Sequence, residues 1–227
     1  MYGYDVKELK DFLIEQLADY TLSVDTIAQR GDILPGYLGQ GISRTTLSFY
    51  RYPDIVFKIC VGTDSEISFQ EGETEKERWF SAIEEGVAPY FAQTEYLCDI
   101  EMFCDEWIND EDDGYGHYEI DCHHTCEVPV YIQSRVDEIW CESEINRSLY
   151  SSKNSLIKEK KIFESLEDCW ISDVDNDRLF SALFIRKYGI EEYKKLAQFI
   201  VNYGIEDLHG ANWGIKDGDL VIIDYAM

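Results

Sequence analysis

The chain has 227 residues, a formal net charge of −26 and a pI near 4.3, which argues against direct binding to nucleic acid or an anionic membrane, because each phosphate contact needs a lysine or arginine. Its hydrophobic content of 45% and aromatic content of 14% exceed what an acidic disordered polymer carries, so a folded core is expected, in one domain or two small lobes. No run of about 18 apolar residues occurs, and the N-terminus reads as an amphipathic helix rather than a signal peptide, so a cytoplasmic protein is expected. Seven cysteines, an odd number without a secretion signal, favour reduced thiols over a disulfide framework.

In chain order, the first element is a helix over about residues 5–20, with Leu9, Phe12, Leu13 and Leu17 on one face at three-to-four spacing. Next, β-prone runs flank a glycine-containing turn and a second break at Tyr52-Pro53-Asp54, which predicts a β-meander through Cys60. Residues 65–85 read as a helix carrying Trp79, Phe80 and Ile83 and stopping at Gly86 and Pro89. Two further strands of the same sheet are expected at 91–97 and 128–136. Between them lies an acidic insertion, 99–127, which holds eleven carboxylates and no lysine or arginine and reads as a self-repelling, solvated block.

From about residue 138 the chain reads as helical, with a basic patch at Lys153–Lys161. A buried helix follows, built on Leu196, Phe199 and Ile200 and ended by Gly204. The chain closes with a hairpin turning at Asp217-Gly218. Strands first and helices afterwards predict an α+β protein of two lobes, 1–137 with the N-terminal helix, the sheet and the acidic insertion, and 138–227 with the helices and the last hairpin.

Four pieces carry a pattern of chemistry. Leu38-Gly39-Gln40-Gly41-Ile42-Ser43-Arg44 lies between two strands, where glycine leaves the backbone open to a phosphate. Lys58 stands alone among apolar residues in the strand Val56-Phe57-Lys58-Ile59 and needs a partner if it faces a covered side of the sheet. The following helix offers Glu77, or Glu73 one turn earlier, with Glu77 favoured by its distance from Lys58. Last come Asp207-Leu208-His209-Gly210-Ala211-Asn212 and the apolar strand ending at Asp224.

Together, over residues 34–227, these pieces resemble the protein-kinase-like superfamily, which includes protein kinases and aminoglycoside and choline phosphotransferases. The resemblance implies a two-lobed kinase-like fold with an antiparallel sheet lobe and a reduced helical lobe. It implies that Gly39, Gly41 and Lys58 hold the phosphates of ATP and that Glu77 fixes Lys58. It further implies that Asn212 and Asp224 carry magnesium and that Asp207 takes the proton of an attacking hydroxyl. His209 would have a supporting role, and adenine would meet the backbone near Gln133-Ser134-Arg135-Val136.

The pattern departs from the family at two places. Ile205 stands where the family has histidine, and Ala226 stands where it has the glycine after the metal-binding aspartate, which removes backbone freedom. The short reach of the chain past Asp224 argues against a conventional protein kinase that docks a protein substrate. Turnover on a small molecule or on the chain itself, and a nucleotide-free pseudokinase, are therefore both open.

Two other features bear on partners. Cys104, His117, Cys122, His123 and Cys126 offer soft and imidazole ligands to a structural zinc, but the spacing matches no standard finger, and buried reduced thiols with exposed histidines are the plainer expectation. The charge itself suggests a different class of function, a binding protein on a kinase-like scaffold whose carboxylates imitate nucleic-acid charge and block a basic protein. A compact unit of this kind is similar to short kinase-like proteins found in phage genomes, which makes an inhibitor of a host or defence protein the implied setting.

Overall fold

Helix α1 (Val6–Leu17) starts where Asp5 accepts a hydrogen bond from the Glu8 backbone N–H at 3.1 Å, satisfying one of the donors a helix leaves open at its first turn. In the computed structural model the described residues are 3–18, 24–41, 43–61, 65–109, 118–138, 175–205 and 212–226. Leu9, Phe12, Leu13 and Leu17 of α1 are buried, as their spacing predicts. Helix α2 (Val24–Arg30) and a 3-10 turn (Gly31–Ile33) lead into the sheet.

The meander is β1 (Tyr37–Gln40), β2 (Thr45–Leu47) and β3 (Ile55–Ile59), with antiparallel pairing throughout. Helix α3 (Ser65–Glu84) follows, and Gly86 takes a left-handed φ of 69° just beyond it. After a 3-10 turn (Ala88–Tyr90), β4 (Thr94–Asn109) and β5 (Tyr118–Ser134) complete a five-stranded sheet in the order β1-β2-β3-β5-β4. A short β6 (Asp137–Glu138), helices α4 (Asp175–Tyr188) and α5 (Ile190–Asn202), and strands β7 (Trp213–Lys216) and β8 (Asp219–Ile222) form the rest, with a second antiparallel sheet in the order β6-β7-β8. The protein is thus a mixture of helix and antiparallel sheet, of the α+β kind. Among the described residues no helix is long and apolar enough to cross a membrane.

Two units divide the chain, Met1–Lys76 with Thr94–Ser134, and Glu77–Gln93 with Arg135–Met227. The first has its own core, in which α1 and α2 pack Leu9, Leu13, Leu17 and Ile27 with Leu47, Ile55, Phe57, Ile59, Val130 and Ile132 of the sheet. The second buries Phe180, Phe184, Tyr193, Leu196, Phe199, Trp213, Leu220 and Ile222 together. Residues 77–93 belong to this second unit, whereas the boundary expected at 137/138 put them in the first. The cause is packing, since Ala82, Val87 and Phe91 enter the helical core.

One expectation about local structure needs correction. The acidic insertion 99–127 is largely ladder, because β4 and β5 stay paired from Thr94↔Gln133 out to Asn109↔Tyr118. Ile100 and Met102 are buried in the core while Asp99, Glu101 and Phe103 at the alternate positions are exposed, so the period of two that defines a strand persists through the charge at 99–103. Among the described side chains of α3, Ser68, Glu71, Gly72, Glu75 and Ala82 are buried, while Phe80 and Ile83 are exposed. The basic patch at 153–161 lies outside the described residues.

Candidate functional site

In the first unit the sheet's two faces differ in chemistry. One carries the apolar core, and the other carries Arg44, Lys58, Tyr131, Gln133 and Thr94, whose register places them side by side. Against this polar side Glu75 of α3 is fully buried. Its Oε1 and Oε2 accept from Lys58 Nζ at 3.0 and 3.2 Å, and Oε1 also accepts from Gln133 Nε2 at 2.6 Å. The second oxygen pairs with the Arg44 guanidinium. Gln133 in turn donates to Thr94 Oγ1 at 2.9 Å, so the carboxylate sits in a connected network.

Lys58 is only 7% exposed and Arg44 only 5%, which makes desolvation the leading cost of this cluster. Mutual attraction and the added hydrogen bonds offset that cost, yet apolar residues of similar volume would do as well or better for stability. Glycine lets α3 come this close. A Cβ at Gly72 would lie 2.4 Å from a ring carbon of Tyr131 and 2.8 Å from Cys60 Sγ, so no larger residue fits. Burial beside the cluster pushes the Cys60 thiol up to about 12 and raises Tyr131, whose hydroxyl donates to Glu73 at 3.1 Å.

The carboxylate expected to fix Lys58 was Glu77, with Glu73 as the alternative, and neither does so. Glu77 is exposed, and Glu73 accepts from Tyr131 and pairs with Lys76. At about 100° per residue, Glu75 lies about 60° from Gly72 around the helix and Glu77 about 140° away. The small residue that marks the sheet-facing side was the signal, and Glu75 is the glutamate next to it.

Gly39 lies in β1 and Gly41 opens the β1–β2 turn, which it closes by donating its N–H to Arg44 O at 2.9 Å. Neither has a positive φ, and among the described residues a Cβ at Gly39 would meet nothing within 4 Å, while one at Gly41 would meet Arg44 O at 3.9 Å. Neither backbone strain nor packing among the described residues therefore demands glycine at these positions.

In the second unit the hairpin β7–β8 turns on Asp217 (φ 52°) and Gly218 (φ 85°), the left-handed pair expected for a two-residue turn. Trp213 pairs with Ile222, and beyond that pair the Ile223 N–H donates to Asn212 O at 2.8 Å. Asn212 and Asp224 are thereby held at the same end of the hairpin. Gly214 admits β6, since a Cβ there would lie 2.3 Å from Asp137 O. Arg78 of α3 donates to the carbonyls of Tyr225 and Tyr203, anchoring the residue after Asp224 and the end of α5. The Tyr225 ring is fully buried, with its hydroxyl donating to Ala92 O at 2.7 Å. Asp207 and His209 lie outside the described residues.

Asn212 and Asp224 present an amide and a carboxylate, the hard oxygen donors magnesium takes, and Lys58 presents the charge a phosphate takes. Among the described residues no group of three or more His, Cys, Asp or Glu is assembled for a metal. For zinc, Cys126 is disulfide-bonded, which corrects the expectation of reduced thiols and removes it as a free thiolate. Cys98 is a buried free thiol, and the side chains of Cys104, His117, Cys122 and His123 lie outside the described residues.

Comparison of the chain with family models, with curated proteins and with solved structures finds no match.

Proposed function

We propose that the chain is a kinase-like protein that binds ATP with magnesium and acts as a phosphotransferase on a small molecule or on itself. The observation that carries this is the buried Lys58–Glu75 pair, in which a lysine on the third strand is held by a glutamate of the helix that follows. Such a pair adds little to stability over apolar residues, so its presence calls for another reason, and orienting an ammonium toward an anionic ligand supplies one. The two-lobed kinase-like architecture belongs to the same proposal. It draws support from the antiparallel sheet of the first unit and from the hairpin of the second, which has Asn212 and Asp224 at the same end.

In this scheme Glu75, itself held by Gln133, fixes Lys58, whose charge meets the α- and β-phosphates. Gly39 and Gly41 would let the phosphates approach the turn with no Cβ in the way. Magnesium held by Asn212 and Asp224 would neutralise charge on the phosphate oxygens. Asp207 takes the proton of the acceptor hydroxyl. The test is titration of a fluorescent ATP analogue, with and without magnesium, into wild type, Lys58→Met and Asn212→Ala. Saturable binding strengthened by magnesium and weakened about tenfold or more in each variant is expected, since hydrogen bonds to charged groups contribute roughly 1.5–3 kcal/mol. Equal affinity in all three proteins would overturn the assignment.

A further inference from the structure

Beside α1 the first unit has an open groove of about 460 Å³, separate from the residues assigned to nucleotide. Ile14 and Leu17 of α1 and Phe103 of β4 give it an apolar lining, and Ile14 and Phe103 are each 46% exposed. Asp99, Glu101 and Glu127 also line it, with Lys10 as the basic residue among the described lining side chains.

The carboxylates stand in an unfavourable arrangement. Glu101 and Glu127 are direct cross-strand partners, and like charges placed opposite one another destabilise a ladder. Asp99 shares the strand face of Glu101, two residues away. Among the described residues neither Glu101 nor Glu127 makes an ion pair. Repulsion of this kind is relieved when a cation arrives, and the adjoining apolar lining is covered when that cation brings an apolar side chain with it.

We infer that this groove docks a lysine- or arginine-bearing amphipathic segment of a partner protein, with its apolar side chains against Ile14, Leu17 and Phe103 and its cations beside Glu101 and Glu127. Helix-in-groove binding of this form takes apolar anchors from one side of the segment and leaves the charges for the rim. A net charge of −26 speeds the encounter with any basic protein, but the combination of apolar lining and opposed glutamates selects a segment that carries both features.

The experiment is fluorescence anisotropy with two labelled peptides of equal length and charge, one of leucine and lysine at amphipathic helical spacing and one with serine in place of leucine. The leucine peptide is expected to bind about tenfold or more tightly than the serine peptide. The double variant Ile14→Ser/Phe103→Ser should abolish that difference, and Glu101→Gln/Glu127→Gln should weaken binding and flatten its dependence on salt. Circular dichroism on each variant verifies that the fold is retained. Equal binding of the two peptides to wild type would overturn the inference by reducing it to bulk charge attraction. So would a preference for leucine that survives the double variant, or light scattering that shows the groove occupied by a second copy of the chain. ATP binding serves as an independent readout, because none of the groove residues belongs to the nucleotide site.

Discussion

Replacing Glu75 by alanine leaves two cations, Lys58 and Arg44, buried at 7% and 5% exposure without the carboxylate they share. The Gln133 amide loses its 2.6 Å acceptor in the same step. Removing one partner of a buried pair costs roughly 3–5 kcal/mol, because the remaining charge stays desolvated. For a chain of this length each kcal/mol moves the melting temperature by about 2–4 °C, so a fall of about 6–20 °C is expected. Glu77→Ala, at an exposed position on the same helix, should stay within about 0.5 kcal/mol of wild type. Differential scanning calorimetry of the two variants side by side reads the contrast. A Glu75→Ala protein that melts with Glu77→Ala would refute the buried network around Lys58.

Replacing the whole cluster should separate stability from ligand binding. The triple variant Arg44→Met/Lys58→Met/Glu75→Leu is expected to recover most or all of the stability lost in Glu75→Ala, as measured by urea unfolding, while binding no nucleotide. Arg78→Ala removes two donors from the carbonyls of Tyr203 and Tyr225, and hydrogen bonds to a charged group are worth roughly 1.5–3 kcal/mol each. Faster amide exchange at residues 203–205 and 225–226 in that variant is the expected readout, with Arg78→Lys intermediate. Alkaline pH should weaken the first unit. Burial raises the Cys60 thiol from 9.0 to about 12, so the unfolded chain gives up this proton first. The stability linked to Cys60 is fully present below pH 9 and is lost as the pH climbs toward 12, which urea midpoints at pH 8 and 10 will register, with Cys60→Ala as the control.

Much of the architecture was legible because it rests on local signals. The face of α1 follows from the spacing of Leu9, Phe12, Leu13 and Leu17, and the last hairpin follows from Asp217-Gly218, whose left-handed backbone few other pairs adopt. Asn212 and Asp224, read from the sequence as partners, share one end of that hairpin because the ladder register continues to Ile223. The polar network was less legible. Helical phase distinguishes Glu75 from Glu73 and Glu77, and among so many glutamates the phase is visible only through Gly72, whose role depends on a tyrosine far away in sequence. Arg44 was read only as the end of the glycine turn, since nothing local shows that its guanidinium reaches a helix 31 residues on. The acidic stretch misled for a related reason: its charges suggest solvent, while Ile100 and Met102 at alternate positions continue a strand.

The central claim, a nucleotide and magnesium site that includes Asp224, is tested most directly by thermal denaturation of wild type and Asp224→Ala with ATP alone, magnesium alone and both together. At a ligand concentration 100 times its dissociation constant the folded state gains about 2.7 kcal/mol, or about 5–10 °C here. A rise of that size in wild type that needs both ligands, and is lost in Asp224→Ala, is the predicted result. No rise in wild type at millimolar ATP, or the same rise in both proteins, would contradict it.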